Sequence, residues 1–379
     1  MLILVLSLGN FVIGMGVFVA IGLILPIQET FGLTESQSGF ILTIYAITYA
    51  ISSPLLIAVT GAQSRKRVML FGLGVFALSA IMIAFAQSAA ILFLARALSA
   101  LGAGLVTPVT ASVAASITAP ERQGKALATV FAGLTFAQVL GVPAGTWIGY
   151  TFGWQTAFWL VAGLGLLCMG GIARYVPRDL PFQVTNLHSL RDALRNWRGL
   201  LIIGFTTSFL GAIYVVFTNL PPLVEQTMGY GRDGITALLI LFGVGAVLGN
   251  YLGGWMADRI GPLKTLKMLC IAQVILMPAY SLLPMSDWML AVLMILWAVF
   301  GWSFMAGQQV RVVRMSGNRP AVSLALNAAA VYLGATIGSS IGAATISTLS
   351  VNALGVVGSA TALLALGHLL LSERVVRNG

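Results

Sequence analysis

GVPAGTWIG, residues 141–149, sets glycine at 141, 145 and 149 in an otherwise apolar run. One small residue in four leaves a helix face without side chains, along which a second helix can approach closely. The device returns in LGATIGSSIG, residues 333–342, as Gly334, Gly338 and Gly342. The offset is 193 each time (334 minus 141), and the same offset relates Gly61 to Gly254, each read as the end of an apolar run. Markers repeated at one offset indicate a duplicated half-protein, and inside a membrane that is a transporter architecture. A matching small-residue face lies at Gly245, Gly249 and Gly253. The expectation is that this eighth-span face meets the glycines of the fifth.

Composition names the solvent. Hydrophobic residues are 59% of the 379 and charged residues 8%, against about 25% charged in soluble domains. The chain cannot clothe itself for water, so it faces lipid. Cys168 and Cys270 sit in apolar runs and read as packing residues. The two histidines are too few and too far apart for a zinc centre, and neither metal nor cofactor is expected. The apolar start at Leu2, with no basic leader, reads as a first span and not a cleaved signal.

A span needs about 20 apolar residues. Twelve candidates run near 3–26, 38–60, 68–86, 89–117, 126–150, 155–176, 200–220, 234–256, 263–283, 288–310, 320–346 and 352–371. All are expected to be helices, because backbone in lipid must satisfy its own hydrogen bonds. With both termini in the cytoplasm, 18 of the 20 Lys and Arg fall in inner segments; Arg232 lies outside and Arg96 within a span. The positive-inside rule therefore gives an even helix number and this orientation. The expected domains are a six-helix bundle over 1–176, a linker over 177–198 and a second bundle over 199–379. In the linker, Leu187, Leu190, Leu194 and Trp197 recur at three and four residues, as on a helix lying at the membrane surface.

Several stretches resemble the major facilitator superfamily, in particular its twelve-span drug:proton antiporter branch, with the bacterial sugar, purine and chloramphenicol-type exporters as the nearest likeness. GGWMADRIGPLK (253–264) is similar to the loop motif between spans two and three, here in its copy between spans eight and nine. GVPAGTWIG is similar to the fifth-span antiporter motif, and RALSALGAG (96–104) to the fourth-span motif with an embedded arginine. ERQGKALATVFAG (121–133), FGWQTAFW (152–159), RVVRMSGNRPAVSLALN (311–327) and FVIGMGVFVAIGLILP (11–26) carry the likeness over nearly the whole chain. The resemblance implies two pseudo-symmetric six-helix bundles, an all-α membrane fold, and a gate latch at the 253–264 loop. Two departures stand out. The first-half loop, GAQSRKRVML (61–70), sets Arg65 or Ser64 where the second half has Asp258, so its acid is missing. Val17 stands where many relatives carry an acid, and no Asp or Glu lies well inside any span.

Arg96 is the sharpest single residue, since a charge at mid-membrane costs roughly 2.5–3.5 kcal/mol even on the lenient scale. It either faces a watery cavity or bonds to backbone carbonyls. By analogy with the family, the polar and aromatic residues nominated for substrate are Asn10, Met15, Tyr45, Arg96, Gln138, Trp297 and Asn327. The buried amides among them equally suit bonds to neighbouring helices. Gating falls to Gly61, Arg65, Gly254, Asp258 and Arg259 at the loops, and to Gly141, Pro143, Gly145 and Gly149.

The resulting expectation is a bacterial inner-membrane secondary transporter, not an enzyme. It exports a small organic molecule by alternating access, and the resemblance implies proton-coupled antiport. One embedded arginine without embedded acids favours an anionic or neutral substrate over a cation. The missing acids also leave open a uniporter, uptake symporter or anion exchanger of the same fold. Expected partners are the substrate, the lipid bilayer and a coupling proton, with no nucleic acid; the chain is expected to act as a monomer.

Overall fold

The computed structural model describes residues 2–33, 35–178, 180, 186–316 and 320–377, and every regular element among them is helical. Among the described residues, twelve stretches are long and apolar enough to cross a membrane. They are α1 (Leu2–Gly22), α2 (Glu35–Val59), α3 (Arg65–Ala84) and α4 (Ala89–Ser116). Next come α5 (Gln123–Phe136, a π-helical turn Ala137–Gly141, then Val142–Phe152), α6 (Trp154–Tyr175), α7 (Trp197–Phe217) and α8 (Arg232–Arg259). The last four are α9 (Pro262–Leu276), α10 (Asp287–Trp302, continuing as Phe304–Met315), α11 (Pro320–Thr348) and α12 (Leu354–Arg377).

Polar side chains set the helix starts. Ser64 accepts from the Arg67 amide, Ser88 from Ile91 and Asn196 from Gly199, each meeting a first-turn donor that has no intrahelical partner. The linker helix Leu187–Arg195 is capped reciprocally: Asn186 Oδ1 accepts from the Ser189 amide, and Ser189 Oγ accepts from the Asn186 amide. Leu190 is buried while Leu187 and Leu194 are exposed. Gly261 turns the chain from α8 to α9 in two residues at φ +86°, a conformation that strains any other L-residue.

The chain forms two compact units. One comprises Met1–Pro120, Thr129–Asp192 and Gly317–Ala329; the other comprises Glu121–Ala128, Ala193–Ser316 and Ala330–Gly379. The first turns of α5 therefore pack with the second unit, and the first turns of α11 with the first. The second unit has an aromatic core, with Phe209 stacked on Phe304 at 4.6 Å and Phe217 on Phe242 at 4.5 Å. Leu167, Ile275 and Leu364 are about 70% exposed or more, as lipid-facing side chains are. Lipid is as apolar as leucine, so close packing and internal hydrogen bonds must hold helix to helix.

The glycine ladders supply that packing, with partners different from those expected. Gly141, Gly145 and Gly149 lie against Met15, Val19 and Leu23 of the α1 segment. Gly245, Gly249 and Gly253 lie against Ile295, Val299 and Ser303 of α10. Gly334, Gly338 and Gly342 lie against α7, at Thr207, Gly211 and Val215. Each ladder thus docks inside its own unit, and the expected pairing of the fifth-span and eighth-span ladders is corrected. Glycine spacing announces that a neighbour comes close, whereas the choice of neighbour lies in surfaces made of ordinary apolar residues.

Two further expectations change. Gly61 sits in the turn after α2, but Gly254 lies inside α8, which continues to Arg259. The two are not equivalent, because the GAQS turn ends α2 early while the MADR segment stays helical. Arg311 and Arg314, read as loop residues, lie on the α10 continuation. Arg311 is only 8% exposed: it donates to Ser372 Oγ at 2.7 Å and lies 5.9 Å from the Phe205 ring centre.

Candidate functional site

In the first unit, Arg96 sits on α4 seven residues after its start at Ala89 and is 1% exposed. Its Nη1 donates to the Gly16 carbonyl at 2.9 Å and its Nε to the Ile41 carbonyl at 3.2 Å. The guanidinium carbon stands 4.9 Å from the centre of the Tyr45 ring. Carbonyl dipoles and the ring face together offset part of the desolvation cost of the charge. One arginine thereby ties α4 to α1 and α2. The buried charged side chains of the described residues are Arg65, Arg96 and Arg311, and no described carboxylate is buried.

Asn10 on α1 is fully buried and donates to Thr110 Oγ1 of α4 at 3.1 Å and to the Val130 carbonyl of α5 at 3.2 Å. Ser53 on α2 donates to the Gly104 carbonyl at 2.7 Å. In the second unit Ser303 does the same to Gly249 at 2.7 Å, joining α10 to α8. In both pairs a hydroxyl reaches the backbone at a glycine, where close approach makes the bond possible.

Of the remaining nominated residues, Met15 is buried against Gly141, and Trp297 is 1% exposed between Phe242 and Tyr280. Both are packing residues in this structure. Gln138 is half-buried in the π-helical turn, and Asn327 is fully buried on α11. Arg96 and Tyr45 are brought together; Asn10 joins a separate knot, and Trp297 belongs to the other unit. The side chain of Pro143 lies outside the described residues.

The loop residues assemble around Asp258. Its Oδ1 accepts from the Gly124 amide at 2.8 Å and its Oδ2 from the Lys125 amide at 2.9 Å. Those amides open α5, where backbone donors have no intrahelical partner and the helix end is electropositive. Gly254 lies against the backbone of Gly124, and a methyl built on it would stand 2.9 Å from that carbonyl. Asn250, 1% exposed, donates to the Ala128 carbonyl at 3.0 Å. A carboxylate, an amide and two glycines thus clasp the first turns of α5 to the end of α8, all within the second unit. Arg65 opens α3 and is 2% exposed, and Gly61 lies in the preceding turn.

These features agree with the comparison to known proteins. The family model described as the Major Facilitator Superfamily matches residues 6–339. The chain belongs to the Major Facilitator Superfamily. At 30% identity it is similar to the inner membrane transport protein YdhP of Escherichia coli (strain K12), over 98% of this chain and 96% of that one. It is 28% identical to the MFS-type transporter YbcL of Bacillus subtilis (strain 168), over 96% and 93%. Among solved structures, the facilitator FucP in the outward conformation shares the fold at TM-score 0.77 and 15% identity, covering 97% of each chain. The human organic anion transporter MFSD10 (TETRAN) does so at TM-score 0.75 and 17% identity, covering 97% and 98%. The chain is accordingly a multi-pass membrane protein and a secondary transporter of a small molecule, in a family of transporters and not of enzymes.

Sequence reasoning passed over Asn250 and Gln308. Gln308 of α10 donates to the Ile202 carbonyl at 2.8 Å and to Thr206 Oγ1 at 3.0 Å. His368 of α12 is half-buried. Its ring nitrogens engage Ser208 Oγ at 2.7 Å and the Leu201 carbonyl at 2.8 Å, both on α7. A carbonyl only accepts, so the nitrogen facing Leu201 carries a proton. The available signal was a polar residue in an apolar run, which in lipid requires a partner.

Proposed function

We propose that the chain is a bacterial inner-membrane exporter of a small anionic or neutral organic molecule. It works by alternating access and antiports protons. The observation that carries the substrate class is the sign of the buried charge: three arginines, Arg96 within the α4 span among them, and no described carboxylate. A cation entering such a protein meets like charge and no counter-ion, whereas an anion finds the reverse. The human structural neighbour is an organic anion transporter; at 17% identity it lends only its fold. The fifth-span ladder, docked on α1, supports the antiporter branch, and the Asp258 clasp supports a gate that each transport cycle must release.

The test is ligand-dependent thermal stabilisation of the purified protein with matched anionic, neutral and cationic compounds, on wild type and Arg96→Ala. A ligand that binds the native state raises apparent stability by mass action. Stabilisation by anions that Arg96→Ala abolishes is the expected outcome. Stabilisation by cations, indifferent to Arg96→Ala, overturns the substrate class.

A second reading, a uniporter, uptake symporter or anion exchanger without proton coupling, is favoured by the same lack of a buried carboxylate, the usual proton carrier. Flux into proteoliposomes with and without an imposed pH gradient separates the two. Transport indifferent to the gradient supports the second.

A further inference from the structure

At the Arg259 end of α8, within the second unit, lies a cavity of about 650 Å³. Arg122, Lys125 and Arg259, all exposed, line it together with Tyr251 and Trp255. Two acids also border it. Both oxygens of Asp258 already accept from the Gly124 and Lys125 amides, so its charge is committed to the end of α5. That leaves Glu121 opposite three cations. The Arg259 guanidinium stands 6.0 Å from the Trp255 ring centre, so the aromatic face helps orient it.

The cavity continues into an apolar track. Val244, Leu248, Tyr251 and Trp255 follow one another at four, three and four residues, hence on one helix face, and are 43%, 54%, 50% and 56% exposed. From Val244 to Trp255 the helix rises ~16 Å at 1.5 Å per residue, about half of a hydrocarbon core of roughly 30 Å. Tryptophan and tyrosine favour the level of the lipid headgroups. Cations above an aromatic step, above an apolar stripe one leaflet deep, form the profile of a single lipid molecule.

We infer that this cavity binds the phosphodiester of an anionic glycerophospholipid between Arg122, Lys125 and Arg259, with an acyl chain along Val244, Leu248 and Tyr251. Arginine forks match phosphate oxygens, and basic clusters beside a membrane helix attract anionic headgroups. A lipid held there bridges the first turn of α5 to the end of α8, beside the Asp258 clasp. The site is independent of the transported molecule and of the coupling ion.

The experiment is native mass spectrometry of the full-length protein titrated with dioleoyl phosphatidylglycerol or dioleoyl phosphatidylcholine. Inorganic phosphate and glycerol phosphate serve as soluble competitors. The triple variant Arg122→Gln/Lys125→Gln/Arg259→Gln is compared with Arg67→Gln/Arg191→Gln/Arg374→Gln, which removes equal charge from other exposed basic sites. One phosphatidylglycerol is expected to bind wild type at least tenfold more tightly than phosphatidylcholine. The first triple variant should lose that preference and the second keep it. The single Arg122→Gln, an exposed residue outside the clasp bonds, should give a partial loss at unchanged melting temperature, which guards against misfolding of the triple. Equal binding of the two lipids overturns the inference, as does equal loss in both triple variants. Displacement by inorganic phosphate at the same concentration also overturns it, for the site would then be an aqueous anion site.

Discussion

Replacing Asp258 by asparagine keeps the shape of the side chain and removes its charge. In the structure the carboxylate accepts two backbone amides, at 2.8 and 2.9 Å, from the first turn of α5. An asparagine accepts one of them through its carbonyl oxygen and turns its own donors toward the other. The substitution therefore loses one charged hydrogen bond, ~1.5–3 kcal/mol, and the attraction of a full charge to the helix end, ~0.3–1 kcal/mol. Asp258 is partly exposed, and solvent screening trims the sum to about 2–3 kcal/mol. At 1.4 kcal/mol per decade, local opening of the clasp becomes about 30- to 140-fold more frequent. Hydrogen exchange followed by mass spectrometry on a peptide covering 121–128 reads this directly, since the Gly124 and Lys125 amides exchange only when the clasp opens. Exchange unchanged in Asp258→Asn, in a protein that melts normally, refutes the assignment of those bonds as the hold on α5.

Gly249→Ala and Gly253→Ala direct a methyl at the Val299 and Ser303 carbonyls, which cannot move without their helix, whereas Gly141→Ala meets the flexible end of Met15. Melting in detergent should fall clearly for the first two, by an overpacking cost of ~1–3 kcal/mol, and little for the third; equal shifts would sink the argument. Arg96→Lys supplies a point charge that cannot serve the Gly16 and Ile41 carbonyls together, and losing one hydrogen bond from a charged donor costs ~1.5–3 kcal/mol. A lower melting temperature for Arg96→Lys is expected even without ligand. Outside the spans, the Tyr230 hydroxyl donates to Asp287 Oδ1 at 2.7 Å, a bond that raises the phenol pKa above its ordinary value near 10. A group raised on folding stabilises below its unfolded pKa and loses that contribution as pH climbs through the folded value. The melting difference between wild type and Tyr230→Phe should therefore be constant at neutral pH and shrink only above about pH 10.

Twelve spans were legible because lipid imposes length and apolarity at once, and the linker helix because Leu187, Leu190 and Leu194 keep helical spacing. Arg96 stood out by its cost in lipid and by the motif that it opens. Its acceptors did not, since the Gly16 and Ile41 carbonyls have no side-chain signature. Asp258 was legible as a motif residue, yet its partners are amides at Gly124 and Lys125, equally silent in sequence. The ladders declared close packing, but Met15, Val19 and Leu23, which receive the fifth-span glycines, look like any apolar residues. Gly61 and Gly254 shared an offset without sharing a place, because the ends of α2 and α8 depend on local turn chemistry that arithmetic does not sense.

The π-helical turn Ala137–Gly141 governs the angular phase of α5. Gly133 faces Ser7, Gly141 faces Met15, Gly145 faces Val19 and Gly149 faces Leu23, a stripe repeating every fourth position along both helices. An α-helix turns about 100° per residue, so such a stripe precesses by about 40° at each repeat. Between Gly133 and Gly149 that accumulates to about 160°, enough to carry the last glycine round to the far side of the cylinder. The wide turn absorbs one extra residue and returns about 100° of it. Winding the same residues as regular α-helix would change the length of the helix by only ~1.5 Å. It would nevertheless swing Gly145 and Gly149 about 100° off α1. For this span, fit to its neighbour is a matter of rotation about the axis and hardly at all of reach.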